Sequence, residues 1–436
     1  MLSLILACSS TTETGNPTTE FIPQLPVSTC HSSSYDFLPT TTMGEIVSTT
    51  EKDELSFTQA ALLTILESYD LPLPDPRHDV ETHYIQYRTQ DKGQEVLATG
   101  MLSIPKNASA ALPVLLWSHP TVGFNDSCAP TAQGLLGAAY PILFASLGFV
   151  VVSPDYLNLR GWIGESEALH PYIVAEPTAI VSIDALRALH NYMDTRSVDF
   201  SIDERQLILW GISEGGYASL AIDRYLPHYA PEFTSLATVA TIPATDVFWL
   251  AQHGMNTMGP TTAGVLGSLT SMLHWYPTDL DLMDIVVPEL ASILERELLE
   301  NCTDFDAILD LQTIEDIYLP EFIEGIRQDT PEAEPWSCFL KENSIPNNAV
   351  AATRVAPTFI VTAEEDDLAI AEPVHLDILK LCEEGYTIEH RQCEGADHVD
   401  GALDSLSEQW NWIQNRLDGR PLDNACVVQD PSPCIR

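Results

Sequence analysis

Ser213 lies in a Gly-x-Ser-x-Gly stretch, within "ILWGISEGGYASL" at residues 208–220. A serine hydroxyl is a poor nucleophile until a base takes its proton, and the base works best when a carboxylate orients it. Both partners follow in the chain, Asp366 in "TAEEDDLA" and His398 in "CEGADHVDG". Ser213, Asp366 and His398 are therefore the candidate catalytic set. The acid has neighbours: Glu364, Glu365, Asp366 and Asp367 are consecutive. Ala363-Glu-Glu-Asp366 resembles a Gly-x-x-Asp strand end with alanine for glycine, which favours Asp366 and leaves Asp367 as the alternative acid. Acyl transfer also needs two backbone N–H groups aimed at the developing oxyanion. One is the amide of the residue after the nucleophile, Glu214. The other is expected from Thr121, because Pro120 before it has no N–H. The Glu214 carboxylate is expected in the first turn of a helix, where the positive end of the dipole favours it.

This chemistry requires a particular scaffold. "QLILW" supplies a strand before the serine and "GGYASLAIDRYL" a helix after it, with Gly211 and Gly215 removing side chains that would clash at so sharp a turn. "LPVLLWSHP", "GFVVVSPDY", "LATVATIP" and "PTFIVTA" are near-continuous apolar runs, the pattern of parallel strands buried on both faces. "VETHYIQYRT" and "QEVLATGMLSIP" flank "QDKG" and read as a hairpin. Helical patterns fall between the runs, as in "EPTAIVSIDALRALHNYM". The fold class is thus α/β, with a mostly parallel central sheet flanked by helices over 51–245 and 347–436. The site is expected at the carboxyl ends of the strands. His119, ending an apolar run, is expected to orient a loop; His390 falls in a strand. Residues 246–346, which include His253 and His274, show no convincing strand. Between Asp279 and Glu334 this insertion carries 17 acidic residues against Arg296 and Arg327. It reads as a helical cap over the site, or as an acidic subdomain that adds surface.

The whole chain of 436 residues carries 19 basic and 63 acidic residues, a net charge of −44. Such a field repels phosphate backbones and excludes nucleic acid as a partner. Of nine cysteines, Cys8 ends the apolar stretch "MLSLILAC" and is followed by a Ser/Thr/Pro-rich segment at 9–50 that reads as a tether. The stretch resembles the end of a bacterial lipoprotein signal, with Cys8 as the lipidation candidate and membrane attachment through that lipid. It has no basic start and is short for a signal. Either the start codon lies upstream or the apolar end is fortuitous. The other eight, Cys30, Cys128, Cys302, Cys338, Cys382, Cys393, Cys426 and Cys434, suit disulfides in an oxidising compartment. Short spacings suggest Cys302–Cys338, Cys382–Cys393 and Cys426–Cys434, leaving Cys30–Cys128. Sequons at Asn107, Asn125 and Asn301 keep a eukaryotic secreted origin open.

Taken together, "WSHPTVGFNDSCAP", "GFVVVSPDYLNLRG", "HPYIVAEPTAIVSIDALRAL", "WGISEGGYASL", "APTFIVTAEEDDLA" and "EGADHVDG" resemble the secretory lipase family of the α/β-hydrolase superfamily. The resemblance implies an α/β-hydrolase fold with a cap, or lid, inserted after the sixth sheet strand. It further implies hydrolysis of small-molecule or lipid carboxylic esters, Ser213, Asp366 and His398 as triad, no cofactor, no metal, and an exported protein. The sequence departs from the family at His119-Pro120, where His-Gly is common, at "NLRG", and in the acidity of the cap. Two other readings share the elbow: a serine peptidase of prolyl-oligopeptidase type, which usually carries repeats of blade length that are not found here, and a non-catalytic binding protein on the same fold.

Overall fold

In this computed structural model, apolar runs alternating with amphipathic helices build one mixed sheet, with nine strands among the described residues. The structure describes residues 20–435 except 31–33, 70, 165–167, 197–199, 278 and 303–310. Cys8 and the apolar stretch before it lie outside the described residues. The strands are β1 (Ile46–Glu51), β2 (Val80–Asp91), β3 (Gln94–Pro105), β4 (Leu112–Ser118), β5 (Val150–Pro154), β6 (Ile202–Ile212), β7 (Ser235–Thr241), β8 (Thr358–Ala363) and β9 (Ile388–Cys393). Their order is β1-β2-β3-β5-β4-β6-β7-β8-β9. The first three run antiparallel to their neighbours, and β5 through β9 are mutually parallel with β4. The β2–β3 hairpin closes through Lys92 and Gly93, both left-handed at φ 47° and 70°, which matches the right-handed twist of the strands.

From β4 the chain crosses to β5 on one side and then returns to β6 on the other. That reversal opens a crevice at the carboxyl ends of β4 and β6. Helices α1 (Gln59–Tyr69), α2 (Leu135–Ser146), α3 (Ala175–Asp194) and α4 (Glu214–Tyr229) precede β7 in the chain. Side chains alternate along the buried strands. Leu115, Trp117, Ile208 and Trp210 pack with Phe144 of α2, whereas Val114, Leu116, Leu207 and Leu209 join Ile183 of α3 and Leu220 of α4. The sheet is therefore clad on both faces, as the continuous apolar runs require.

Between β7 and β8 come α5 (Val247–Gly254), α6 (Pro260–Trp275), α7 (Pro288–Glu300), α8 (Pro320–Gln328) and α9 (Trp336–Asn343). Their apolar faces (Leu266, Leu269, Leu294, Leu298, Ile323, Phe339) are continuous with the core around α3 and α4. The chain closes with α10 (Ala371–Glu383), α11 (His398–Asp404) and α12 (Leu406–Leu417).

Four expectations are corrected. The stretch read as tether to residue 50 ends in the sheet, because Ile46–Glu51 pairs with β2 as an edge strand. With that strand added, the inserted helices follow the seventh strand in chain order. The cysteines pair differently: Cys30–Cys338, Cys128–Cys302, Cys382–Cys426 and Cys393–Cys434. The reason is direction. Cys382 closes α10 at the sheet's amino edge, while Cys393 closes β9 at its carboxyl edge, so neighbours in sequence stand a strand's length apart. The C-terminal tail runs parallel to β9, with bridges Glu389–Val427 and Cys393–Ser432. It delivers Cys426 to the first cysteine and Cys434 to the second. Asn125 is also not an available sequon. It is buried, and its amide group donates to the carbonyls of Leu298 and Asn301 at 3.0 and 2.9 Å, docking the end of α7 beside the Cys128–Cys302 bond.

Candidate active site

The turn between β6 and α4 puts Ser213 at φ 58°, ψ −117°, a backbone state that costs a non-glycine residue on the order of 1–3 kcal/mol. Surrounding contacts enforce it. The Ser213 N–H donates to the Thr241 carbonyl of β7 at 2.9 Å, and the Ser213 carbonyl accepts from Tyr217 N in the first turn of α4 at 3.1 Å. A methyl group on Gly211 would lie 2.1 Å from the Gly215 carbonyl oxygen, and one on Gly215 would lie 2.0 Å from that of Ser118. The elbow thus needs hydrogen at both positions.

His398 opens α11, whose N-cap Asp397 accepts hydrogen bonds from Val399 N and Asp400 N. Its Nε2 stands 2.9 Å from Ser213 Oγ, and its Nδ1 stands 2.8 Å from Asp366 Oδ2. The other carboxylate oxygen of Asp366 accepts from Leu368 N and Ala369 N at 2.9 and 2.8 Å. Asp366 is buried and Asp367 exposed. The carbonyl of Asp367 instead accepts from Thr261 N and Oγ1 at the start of α6, a contact between the β8 loop and the inserted helices. The β8 and β9 loops are stitched together by Glu364 N to Cys393 O and Glu365 N to Ala396 O, at 3.0 and 2.9 Å. Asp366 and His398 are carried on those two loops.

Thr121 follows β4, and its hydroxyl donates to Tyr172 Oη at 3.1 Å. His119 is buried, its ring nitrogens facing the carbonyls of Pro120 at 2.7 Å and Asp155 at 3.4 Å. Burial lowers its pKa, which keeps it a neutral organiser of the loop. His253 stacks on Trp249 within α5. His390 in β9 lies 2.9 Å from Thr362 Oγ1, and burial lowers its pKa to about 3.

The Glu214 side chain stands in the first turn of α4, where the helix dipole favours it, and it also has a partner that the sequence reading did not name. It is 2% exposed and sits 2.6 Å from His170 Nε2, itself fully buried. No local spacing relates these two residues, so the sequence offered no sign of the pair.

Ser213 and Glu214 open onto a cavity of about 30 Å³ bounded by Tyr172, Val247, Leu250, Gly264, Val265, Ser268 and Leu368. Helices α5 and α6 supply most of its apolar wall. Glu51, Glu81 and His83 also converge, on the β1–β2 edge. Arg196 and Lys106 already face Glu81, and Arg196 donates to His83 Nε2, so this cluster is an ion-pair network, ill suited to a metal.

The family model described as secretory lipase matches residues 139–425. Lipase A of Arthroderma benhamiae is 24% identical over 367 residues, 79% of this chain and 72% of that protein. Among solved structures, the rice cell wall degrading esterase LipA from Xanthomonas oryzae superposes with a TM-score of 0.69 at 21% identity, over 87% of this chain and 100% of the other. Candida antarctica lipase A in its closed state gives a TM-score of 0.65 at 17% identity, over 90% of this chain and 86% of the other. At such identities the structural likeness speaks for the fold, which is that of the α/β-hydrolases.

Proposed function

This chain belongs to the secretory lipase family and is a carboxylic ester hydrolase; we propose that it works through an acyl-enzyme formed on Ser213. The observation that carries this reading is the relay of hydrogen bonds from Asp366 through His398 to a serine held on a strained elbow. Asp366 accepts a hydrogen bond from Nδ1–H of His398, which leaves Nε2 free to take the proton of Ser213. Ser213 Oγ then attacks the ester carbonyl, and the oxyanion is held by the amides of Glu214 and Thr121. His398 returns the proton to the departing alcohol. Water, deprotonated by the same imidazole, releases the carboxylic acid and restores the serine.

Helices α5 and α6 act as the cap over this site. A cavity of about 30 Å³ holds roughly two waters, far below the few hundred Å³ of a ligand pocket. We read α5 and α6 as the elements that shift to admit an acyl chain. Export to an oxidising compartment fits the family and the four disulfides. Lipid attachment at Cys8 is part of this proposal, checked by metabolic labelling with an alkyne fatty acid and loss of label in Cys8→Ala.

The central test is covalent. A fluorophosphonate probe labels the wild type and not Ser213→Ala, and hydrolysis of p-nitrophenyl esters from acetyl to palmitoyl disappears with the label. An unlabelled wild type would return the chain to the non-catalytic reading. The chain-length profile, with and without an oil interface, separates lipase from esterase.

A further inference from the structure

The two amides assigned to the oxyanion stand on separate elements, Glu214 at the start of α4 and Thr121 in the loop after β4. One short segment, His170–Tyr172, touches both. We propose that His170 and Tyr172 are positioning residues that hold the two donors in register; this inference rests on the acyl-enzyme reading of Ser213.

His170 Nδ1 lies 3.1 Å from the Leu157 carbonyl. A carbonyl only accepts, so Nδ1 carries a proton and donates it there. The opposite nitrogen is thereby turned to the Glu214 carboxyl group at 2.6 Å, where a single proton joins the two. The ring is stacked on Tyr156, centroids 5.5 Å apart and planes 16° from parallel. With both partners buried, the first turn of α4 cannot rotate without stranding a polar group away from water. The Glu214 amide is fixed by the same contact, because its own side chain is the anchor.

The other half of the hole is held from the same segment. His170 N donates to the Phe124 carbonyl at 2.9 Å, fastening the segment to the loop that carries Thr121. The ring of Tyr172 meets that of Phe124 edge to face at 5.3 Å, and its hydroxyl oxygen accepts from Thr121 Oγ1 at 3.1 Å. Tyr172 N also donates to Ser271 Oγ of α6 at 3.2 Å, so the brace reaches the cap. Oxyanion donors act only at the right distance from the developing charge. A brace across both is therefore read in kcat before it is read in stability.

The test uses the full chain and counts sites with the fluorophosphonate taken to completion, so that misfolded protein drops out. For His170→Leu, kcat per labelled site on p-nitrophenyl butyrate should fall about tenfold to a hundredfold with KM within about threefold. Affinity for a trifluoromethyl ketone, a mimic of the tetrahedral adduct, should fall by the same factor. His170→Gln, whose amide nitrogen reaches the Nε2 position and can donate to Glu214, should recover most of the loss. Tyr172→Phe, which removes only the hydroxyl, should lower kcat severalfold in the same pattern. Unchanged kcat per labelled site in both His170→Leu and Tyr172→Phe would overturn the proposal, and so would a glutamine variant no better than leucine. A wild type that does not label overturns the acyl-enzyme reading and this inference with it.

Discussion

Two adjacent aspartates, chemically identical, are separated by what surrounds them. Asp366 is buried, receives two backbone N–H groups on one oxygen and faces His398 with the other. Asp367 is exposed and engages α6 through its carbonyl, a contact that any residue could make. Asp366→Asn would place an amide opposite His398 Nδ1, favouring the tautomer that cannot take the proton of Ser213. We expect kcat to fall about 10⁴-fold, while Asp367→Asn stays within about threefold of wild type, because exposed substitutions away from the chemistry are nearly neutral. Steady-state kinetics on p-nitrophenyl butyrate decides it; comparable mild losses at both positions would sink the assignment. The placement of Asp366 beside His398 was legible from the sequence because a strand end followed by an acid is a local pattern. The partner of Glu214 was not, since His170 lies 44 residues away and meets it only through the fold.

At the scale of elements, the same distinction between local and non-local information recurs. The buried parallel strands and the helix after Ser213 announce themselves, because both their faces or one whole stripe must be apolar. The edge strand "IVSTTE" does not: its residues are half-buried or exposed, and it becomes a strand only because β2 offers an open edge. Disulfide partners are also non-local, being fixed by the direction in which α10 and β9 run. Two of those bonds tie the inserted helices to the rest of the chain. Cys338 in α9 is joined to Cys30, and Cys302 after α7 to Cys128 near the Thr121 loop. The Cys128–Cys302 bond spans 174 residues of sequence. On loop-closure entropy, removing it as Cys128→Ala/Cys302→Ala should lower the unfolding free energy by about 3–5 kcal/mol. Urea denaturation under oxidising conditions measures this, and a loss below about 1 kcal/mol would show that Asn125 and apolar contacts already hold the inserted helices without it.

For the whole molecule, acidity extends from the surface into the core. Burial raises the carboxyl pKa of Asp155, Asp184 and Asp377 to about 6, of Asp223 to about 7 and of Glu176 to about 8. In the unfolded chain these groups ionise near pH 4, so between pH 4 and their folded values the native state binds more protons. Their contribution is complete below the unfolded pKa and is lost as pH rises through the folded one. Buried histidines act oppositely: burial lowers the pKa of His119, His190, His375 and His390, and this costs stability as pH falls below about 6.5, where the unfolded imidazoles protonate. Above that pH only the carboxyl effect remains, and self-repulsion of a chain at −44 acts in the same direction. The melting temperature should therefore fall between about pH 6.5 and 8.5, by a few degrees for a stability change on the order of 2 kcal/mol. Glu176, which accepts a hydrogen bond from Tyr35 at 2.5 Å, has the highest folded pKa of the five and dominates that window. Glu176→Gln keeps an acceptor for the tyrosine and cannot ionise, so its melting temperature should vary least with pH. Differential scanning calorimetry of both proteins across the window tests this, and a wild-type curve that is flat or rises toward pH 8.5 would show that these carboxyl groups ionise in the fold without cost.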